Sequence, residues 1–79
     1  MIDPNGRVVM ISGSNRGIGL AIAKNLYRSG FKLSLASRKI SSIDKVVNDW
    51  SKDKILTARY DAMDKATHSD WIKKTLEKF

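Results

Sequence analysis

Four apolar residues in succession, Val8, Val9, Met10 and Ile11, stand between Arg7 and Ser12. Such a run predicts a strand over 7–12 that is buried on both faces, as in a parallel sheet. Glycines follow at 13, 17 and 19, and Ile18, Ala21, Ile22 and Leu26 recur at helical spacing. That helix is expected to end near Ser29 and Gly30, glycine being the natural C-terminal stop. Residues 31–37 alternate and predict a second strand. Ile43, Val46, Val47 and Trp50 form the stripe of a helix over 42–50, with Ser41 and Asp44 as a weak capping box. Residues 54–60 predict a third strand and 61–65 a loop. Thr67 followed by Asp70 offers a second capping box, and Ile72, Leu76 and Phe79 mark one face of a third helix. Ahead of all this, residues 1–6 form a lead-in, with Pro4, Asn5 and Gly6 as turn formers.

The order β-α-β-α-β-α predicts an α/β fold with a parallel sheet and crossover helices. Right-handed crossovers lay 7–12, 32–37 and 55–59 in the strand order 3-2-1. The first strand is then an edge strand, although it is the most apolar of the three. An edge so apolar is an aggregation liability, and it reads as a strand awaiting a neighbour that this sequence does not contain.

Composition narrows the classes. The chain has 79 residues, 42% hydrophobic and 29% charged, with no cysteine. Disulfides and Cys-based zinc sites are therefore excluded, and no other metal site is read. No stretch approaches the ~20 apolar residues of a membrane span. Asp3 and Pro4 stand where a secretory signal has its basic region, so a cytoplasmic location is expected. Small scaffolds usually need staples, and none is present, so the chain is either self-sufficient or part of something larger. The net charge of +7 raises nucleic-acid binding, but no basic-aromatic interleaving and no helix-turn-helix or RNA-binding signature accompanies it, and none is expected. The lysines at 73, 74 and 78 read as a solvated helix face. His68 reads as a surface residue, and Trp50 and Trp71 as packing residues.

The informative segment is Ser12-Gly13-Ser14-Asn15-Arg16-Gly17-Ile18-Gly19, between the end of a strand and the start of a helix. Gly13 permits a sharp turn off the strand. Gly17 permits close backbone approach to a pyrophosphate, and Gly19 permits tight helix–strand packing. The helix N-terminus adds unpaired N–H groups and partial positive charge. A glycine pattern alone is weak, but here a second strand begins 12 residues past the last glycine, as a βαβ unit requires. No Gly-Lys-Ser/Thr follows, which excludes a Walker-type P-loop.

With "LSLASR" and "YDAMD" following "ISGSNRGIGLAIAKNL" in order and spacing, the chain from Arg7 to Phe79 resembles the short-chain dehydrogenase/reductase family. Ser12 stands where most members have Thr. The resemblance implies a Rossmann-type three-layer fold. In it, residues 1–79 are the N-terminal part of a single NAD(P)-binding domain, truncated from a considerably longer protein.

The second strand ends Ala36-Ser37-Arg38-Lys39, without the acid that binds the adenosine ribose of NAD. Arg38 and Lys39 alone would read as solvated charge. Together with Arg16 and the missing acid, Arg38 predicts NADP rather than NAD. The Arg38 guanidinium offers a bidentate fork to the 2′-phosphate, Arg16 approaches it from the loop, and Ser37 and Asn15 add neutral hydrogen bonds. The resemblance also implies that Asp61 accepts from the adenine amino group, with Ala62 as a backbone contact. The expected cofactor residues are thus Gly13, Ser14, Asn15, Arg16, Gly17, Ile18, Gly19, Ser37, Arg38, Asp61 and Ala62.

Catalytic residues are not expected in this chain. The family pairs a Tyr acid/base with a Lys four residues on, plus a Ser. Here Phe31 is four past Tyr27 and Asp64 four past Tyr60, and the family's Asn-Ala-Gly motif is missing. The resemblance implies hydride transfer to or from a small carbonyl or alcohol substrate by a full-length homo-oligomer, with no nucleic-acid or membrane partner. The competing reading is a non-catalytic nucleotide-binding module complete at 79 residues.

Overall fold

The computed structural model describes residues 6–79, so the lead-in residues 1–5, with Pro4 and Asn5, lie outside the described residues. Six elements alternate: β1 (Val8–Ser12), α1 (Gly17–Arg28), β2 (Lys32–Ser37), α2 (Ile40–Val47), β3 (Ile55–Arg59) and α3 (Lys65–Lys78). Both strand pairings are parallel, with Val8 opposite Lys32 and Leu33 opposite Ile55. β2 is central, which is the expected 3-2-1 order read from the other side.

Strand alternation divides the interior. Leu33 and Leu35 of β2 join Ala23, Ile43, Val47 and Ile55 in the main core, packed by α1 and α2. Ala36 and Ala58 join Trp71 of α3 in a second, smaller cluster. β1 departs from the expectation of burial on both faces. Met10 is 40% exposed and Val8, Val9 and Ile11 are half-buried, because an edge strand is paired on one side only and α3 packs on β3.

The helices form as expected but turn different faces inward. In α1 it is Ala23 that is fully buried, with Leu26 and Tyr27 packed against the core, whereas Ile18, Ala21 and Ile22 are exposed. The helix ends as predicted. Gly30 adopts φ 95°, its N–H donates to the Tyr27 carbonyl at 3.0 Å, and the Phe31 N–H donates to the Leu26 carbonyl at 3.1 Å. This is the Schellman arrangement, which needs a left-handed residue at that point.

α2 starts at Ile40, earlier than expected, and stops at Val47, so Trp50 lies beyond it. The Ser41–Asp44 box does not form. Lys39 is the N-cap residue, Ser42 bonds back to the Lys39 carbonyl, and Asp44 accepts from the Thr57 hydroxyl at 3.0 Å. Trp50 stacks on Tyr27 with centroids 4.4 Å apart.

In α3 the cap is Asp64, which accepts from the Ala66 N–H at 3.1 Å, rather than Thr67. The inward face is Thr67, Trp71 and Thr75, while Ile72 and Leu76 are 51% and 75% exposed. A closed hydrogen-bond cycle explains the choice. The Trp71 indole N–H donates to Ser34 Oγ at 2.7 Å, and the Thr75 hydroxyl donates to the Trp71 carbonyl at 2.8 Å. With that proton placed, Ser34 is the donor in its 2.6 Å contact with Thr75. Every polar side chain of the trio is satisfied, as burial requires. His68 is not a free surface residue either: its ring packs against Tyr60 at 4.8 Å. Among the described residues no helix is long and apolar enough to cross a membrane.

Two stability predictions follow from these contacts. Trp71→Phe strands Ser34 without its donor and should cost about 1–2 kcal/mol in urea denaturation, whereas Ile72→Gln on the outer face should stay within ~0.5 kcal/mol. A larger loss at Ile72 than at Trp71 would contradict the face assignment. Gly30→Ala forces a Cβ into left-handed backbone and should cost about 1–2 kcal/mol in the same measurement.

Candidate functional site

The parallel register brings the C-terminal ends of all three strands, Ser12, Ser37 and Arg59, to one side of the sheet. There the chain leaves β1 through Gly13, at φ 62°, whose N–H donates to the Ala36 carbonyl at 2.8 Å. Gly17 also has φ 62°, and a Cβ built there meets nothing within 4 Å. The loop therefore presents bare backbone to open space. A Cβ at Gly19 would collide with the Gly13 carbonyl oxygen. That glycine closes the loop onto itself, a tighter constraint than the helix–strand contact expected of it.

The three strand ends enclose a cleft of about 860 Å³. The glycine loop contributes Gly13, Asn15, Arg16, Gly17, Ile18 and Gly19. The end of β2 and the start of α2 contribute Ser37, Arg38, Lys39 and Ser42, and the segment after β3 contributes Tyr60, Asp61, Ala62 and Met63. Ten of the eleven expected residues line it. Ser14 is instead buried (1% exposed), its hydroxyl without a hydrogen-bond partner among the described residues. Lys39, Ser42, Tyr60 and Met63 went unassigned in the sequence. The available signal for Lys39 was its place beside Arg38, and for Tyr60 and Met63 their places flanking Asp61 and Ala62.

The cleft is electrostatically polar. Arg16, Arg38 and Lys39 supply its positive charge and Asp61 its one carboxylate. The Asp61 Oδ1 accepts from the Met63 N–H at 2.9 Å, and Oδ2 lies 3.7 Å from the Arg59 guanidinium. A carboxylate so placed keeps lone pairs for another donor. The Asp61 backbone is fixed as well, its N–H donating to the Thr67 hydroxyl at 2.9 Å.

Helix termini reinforce the pattern. α1 and α2 have Arg16 and Lys39 at their N-caps, no side-chain cap bond and no acid in the first turn. Among the described residues no side chain caps their first N–H groups, although in α2 the Ser42 N–H donates to the Lys39 carbonyl at 3.1 Å. α3 is capped by Asp64 instead. At the end of β2 the Ser37 hydroxyl donates to the Lys39 carbonyl at 2.8 Å and lies 3.3 Å from the Ser42 hydroxyl, which donates to the same carbonyl at 2.6 Å.

Comparison with known proteins bears on this arrangement. The family model for short chain dehydrogenase matches residues 7–79. Agropine synthesis reductase of Rhizobium rhizogenes is 39% identical over 75 residues, covering 91% of this chain and 16% of that protein. The chain thus spans about a sixth of that relative's length. Among solved structures, a short-chain dehydrogenase/reductase from Burkholderia phymatum in complex with NAD is 26% identical with a TM-score of 0.87, covering all of this chain and 29% of that one. The alcohol dehydrogenase of the archaeon Thermococcus sibiricus, complexed with 5-hydroxy-NADP, is 30% identical with a TM-score of 0.83, covering 92% of this chain and 32% of that one. A glycine loop of this geometry, the parallel strand ends around it and a family match across nearly every described residue converge, and the chain belongs to the short-chain dehydrogenase family.

Proposed function

We propose that the chain forms the adenosine and pyrophosphate half of an NADP site, in an oxidoreductase that moves hydride between the nicotinamide and a carbonyl or alcohol carbon. The observation carrying this reading is that Arg38 and Lys39 line the cleft at the end of β2, with Arg16 also in the lining and no carboxylate on that side. Relatives of this fold are solved with NAD and with 5-hydroxy-NADP, so the fold admits both cofactors. The choice rests on side chains at the end of the second strand.

The residues present fit such a group. The bare Gly17 backbone and the uncapped start of α1 suit a pyrophosphate. Arg38, with Arg16 and Lys39, suits a ribose phosphate. Asp61, still able to accept, suits an adenine amino group beside the Ala62 backbone. When bound, the cofactor supplies hydride at nicotinamide C4, and the protein supplies position. The two tyrosines have packing roles. Tyr27 stacks on Trp50 and its hydroxyl accepts from the Ser51 N–H at 2.8 Å, while Tyr60 packs between His68 and Trp71.

Two outcomes test this. Titrating NADP and NAD against the protein should show NADP bound more tightly, and Arg38→Ala should weaken NADP by roughly 10- to 100-fold while leaving NAD nearly unchanged. Equal affinity for the two cofactors in the wild type, or equal losses for both in the variant, would sink the NADP assignment. Hydride transfer by the 79 residues alone, followed at 340 nm with a panel of carbonyl substrates, should remain at background. Turnover that Tyr27→Phe or Tyr60→Phe abolishes would show that the chain carries its own acid/base.

A further inference from the structure

The turn that carries Arg38 and Lys39 is held by more than the sheet. Ser37 is buried (6% exposed) and anchored in the ladder, its carbonyl accepting from the Tyr60 N–H at 2.8 Å. Its hydroxyl donates to the Lys39 carbonyl at 2.8 Å and accepts from the Lys39 N–H at 3.3 Å. The Lys39 carbonyl also receives the Ser42 hydroxyl at 2.6 Å and the Ser42 N–H at 3.1 Å. Two side chains from different elements thus converge on one carbonyl, that of the N-cap residue of α2.

A hydroxyl has one proton, and the oxygens of a phosphate dianion are all acceptors. Ser37 cannot donate to a phosphate without releasing the Lys39 carbonyl, and Ser42 is under the same constraint. Both hydroxyls act on the segment between them, which carries two adjacent, exposed cations that repel. Fixing the backbone beneath those cations lowers the ordering that a ligand must impose.

Resting on the NADP reading above, we propose that Ser37 and Ser42 are positioning residues. They form a two-hydroxyl clamp on the Lys39 carbonyl that sets the cofactor's phosphate specificity through Arg38 and Lys39, without themselves touching the phosphate. The role is a determinant of selectivity rather than of binding as such. The adenine and pyrophosphate contacts come from other segments and do not pass through this turn.

The test compares adenosine 2′,5′-bisphosphate with adenosine 5′-monophosphate by calorimetric titration of the wild type, Ser37→Ala, Ser42→Ala, the double variant and Ser42→Thr. The readout is the ratio of the two affinities, so a loss of folded protein, which lowers both, cancels. The wild type should favour the bisphosphate. Each alanine variant should reduce that preference by roughly 3- to 10-fold. The double variant should fall by less than the product of the single effects, since both act on one carbonyl, and Ser42→Thr, which keeps the hydroxyl, should retain the preference. A wild type without preference overturns the NADP reading and the clamp together. A preference that Ser37→Ala reduces and Ser42→Ala leaves intact makes Ser37 a direct ligand and overturns the clamp alone, as do fully multiplicative effects or no effect in either variant. Should Ser37→Ala not fold, Ser42→Ala and its threonine rescue still decide.

Discussion

The hydrogen bond from the Gly13 N–H to the Ala36 carbonyl is the constraint from which the site is built. It extends the β1–β2 ladder one residue past Ser12, so the chain is still tied to the sheet when it must turn away. The chain turns away through left-handed backbone at Gly13, φ 62°, which glycine adopts cheaply. The turn throws the Gly13 carbonyl across the start of α1, where a side chain at position 19 would strike it. Gly13 and Gly19 are thus coupled through the Gly13 peptide. Together they aim the uncapped end of α1 at the space beyond the strand ends.

That space exists because β2 is central and both its neighbours run parallel to it. Each face of β2 then receives a different treatment. Leu33 and Leu35 meet the apolar side of α1 and α2, while Ser34 and Ala36 meet α3. On the second side, direction comes from hydrogen bonds. The cycle of Ser34, Trp71 and Thr75 fixes the rotation of α3 about its axis, and apolar burial alone would have left that rotation ambiguous. The Thr67 hydroxyl, on the same face, accepts from the Asp61 N–H at 2.9 Å and thereby ties the start of α3 to the loop that carries Asp61.

These details explain what was legible in the sequence. Element order, strand pairing and the glycine loop were readable, because period-two alternation and glycine spacing are local signals. Helix rotation was not. Ile72 and Leu76 look like a core face, yet the sheet selects Thr67, Trp71 and Thr75, two of which look polar until their partners are known. In α1, Ala23 is the residue buried beneath the helix, and Ile18 and Ile22 are exposed. The same limit applied within the site. Arg38 was visible from its place after the strand, but the roles of Lys39 and Ser42 depend on α2 beginning at Ile40, which no capping signal announced.

The charges around the cleft complete the argument. Arg59 is not among the cleft-lining residues and lies 3.7 Å from Asp61 and 3.5 Å from Asp64. Its side chain is 49% exposed, so each pair is weak in energy. On the proposed reading, a ligand carrying an anionic ribose phosphate and an amino-bearing base would meet a positive side and an accepting side. The reversed pose sets phosphate against carboxylate and amino group against guanidinium. Discrimination of this kind comes as much from repelling the wrong pose as from attracting the right one, and it depends on the two sides being held by separate strands whose parallel register fixes their distance.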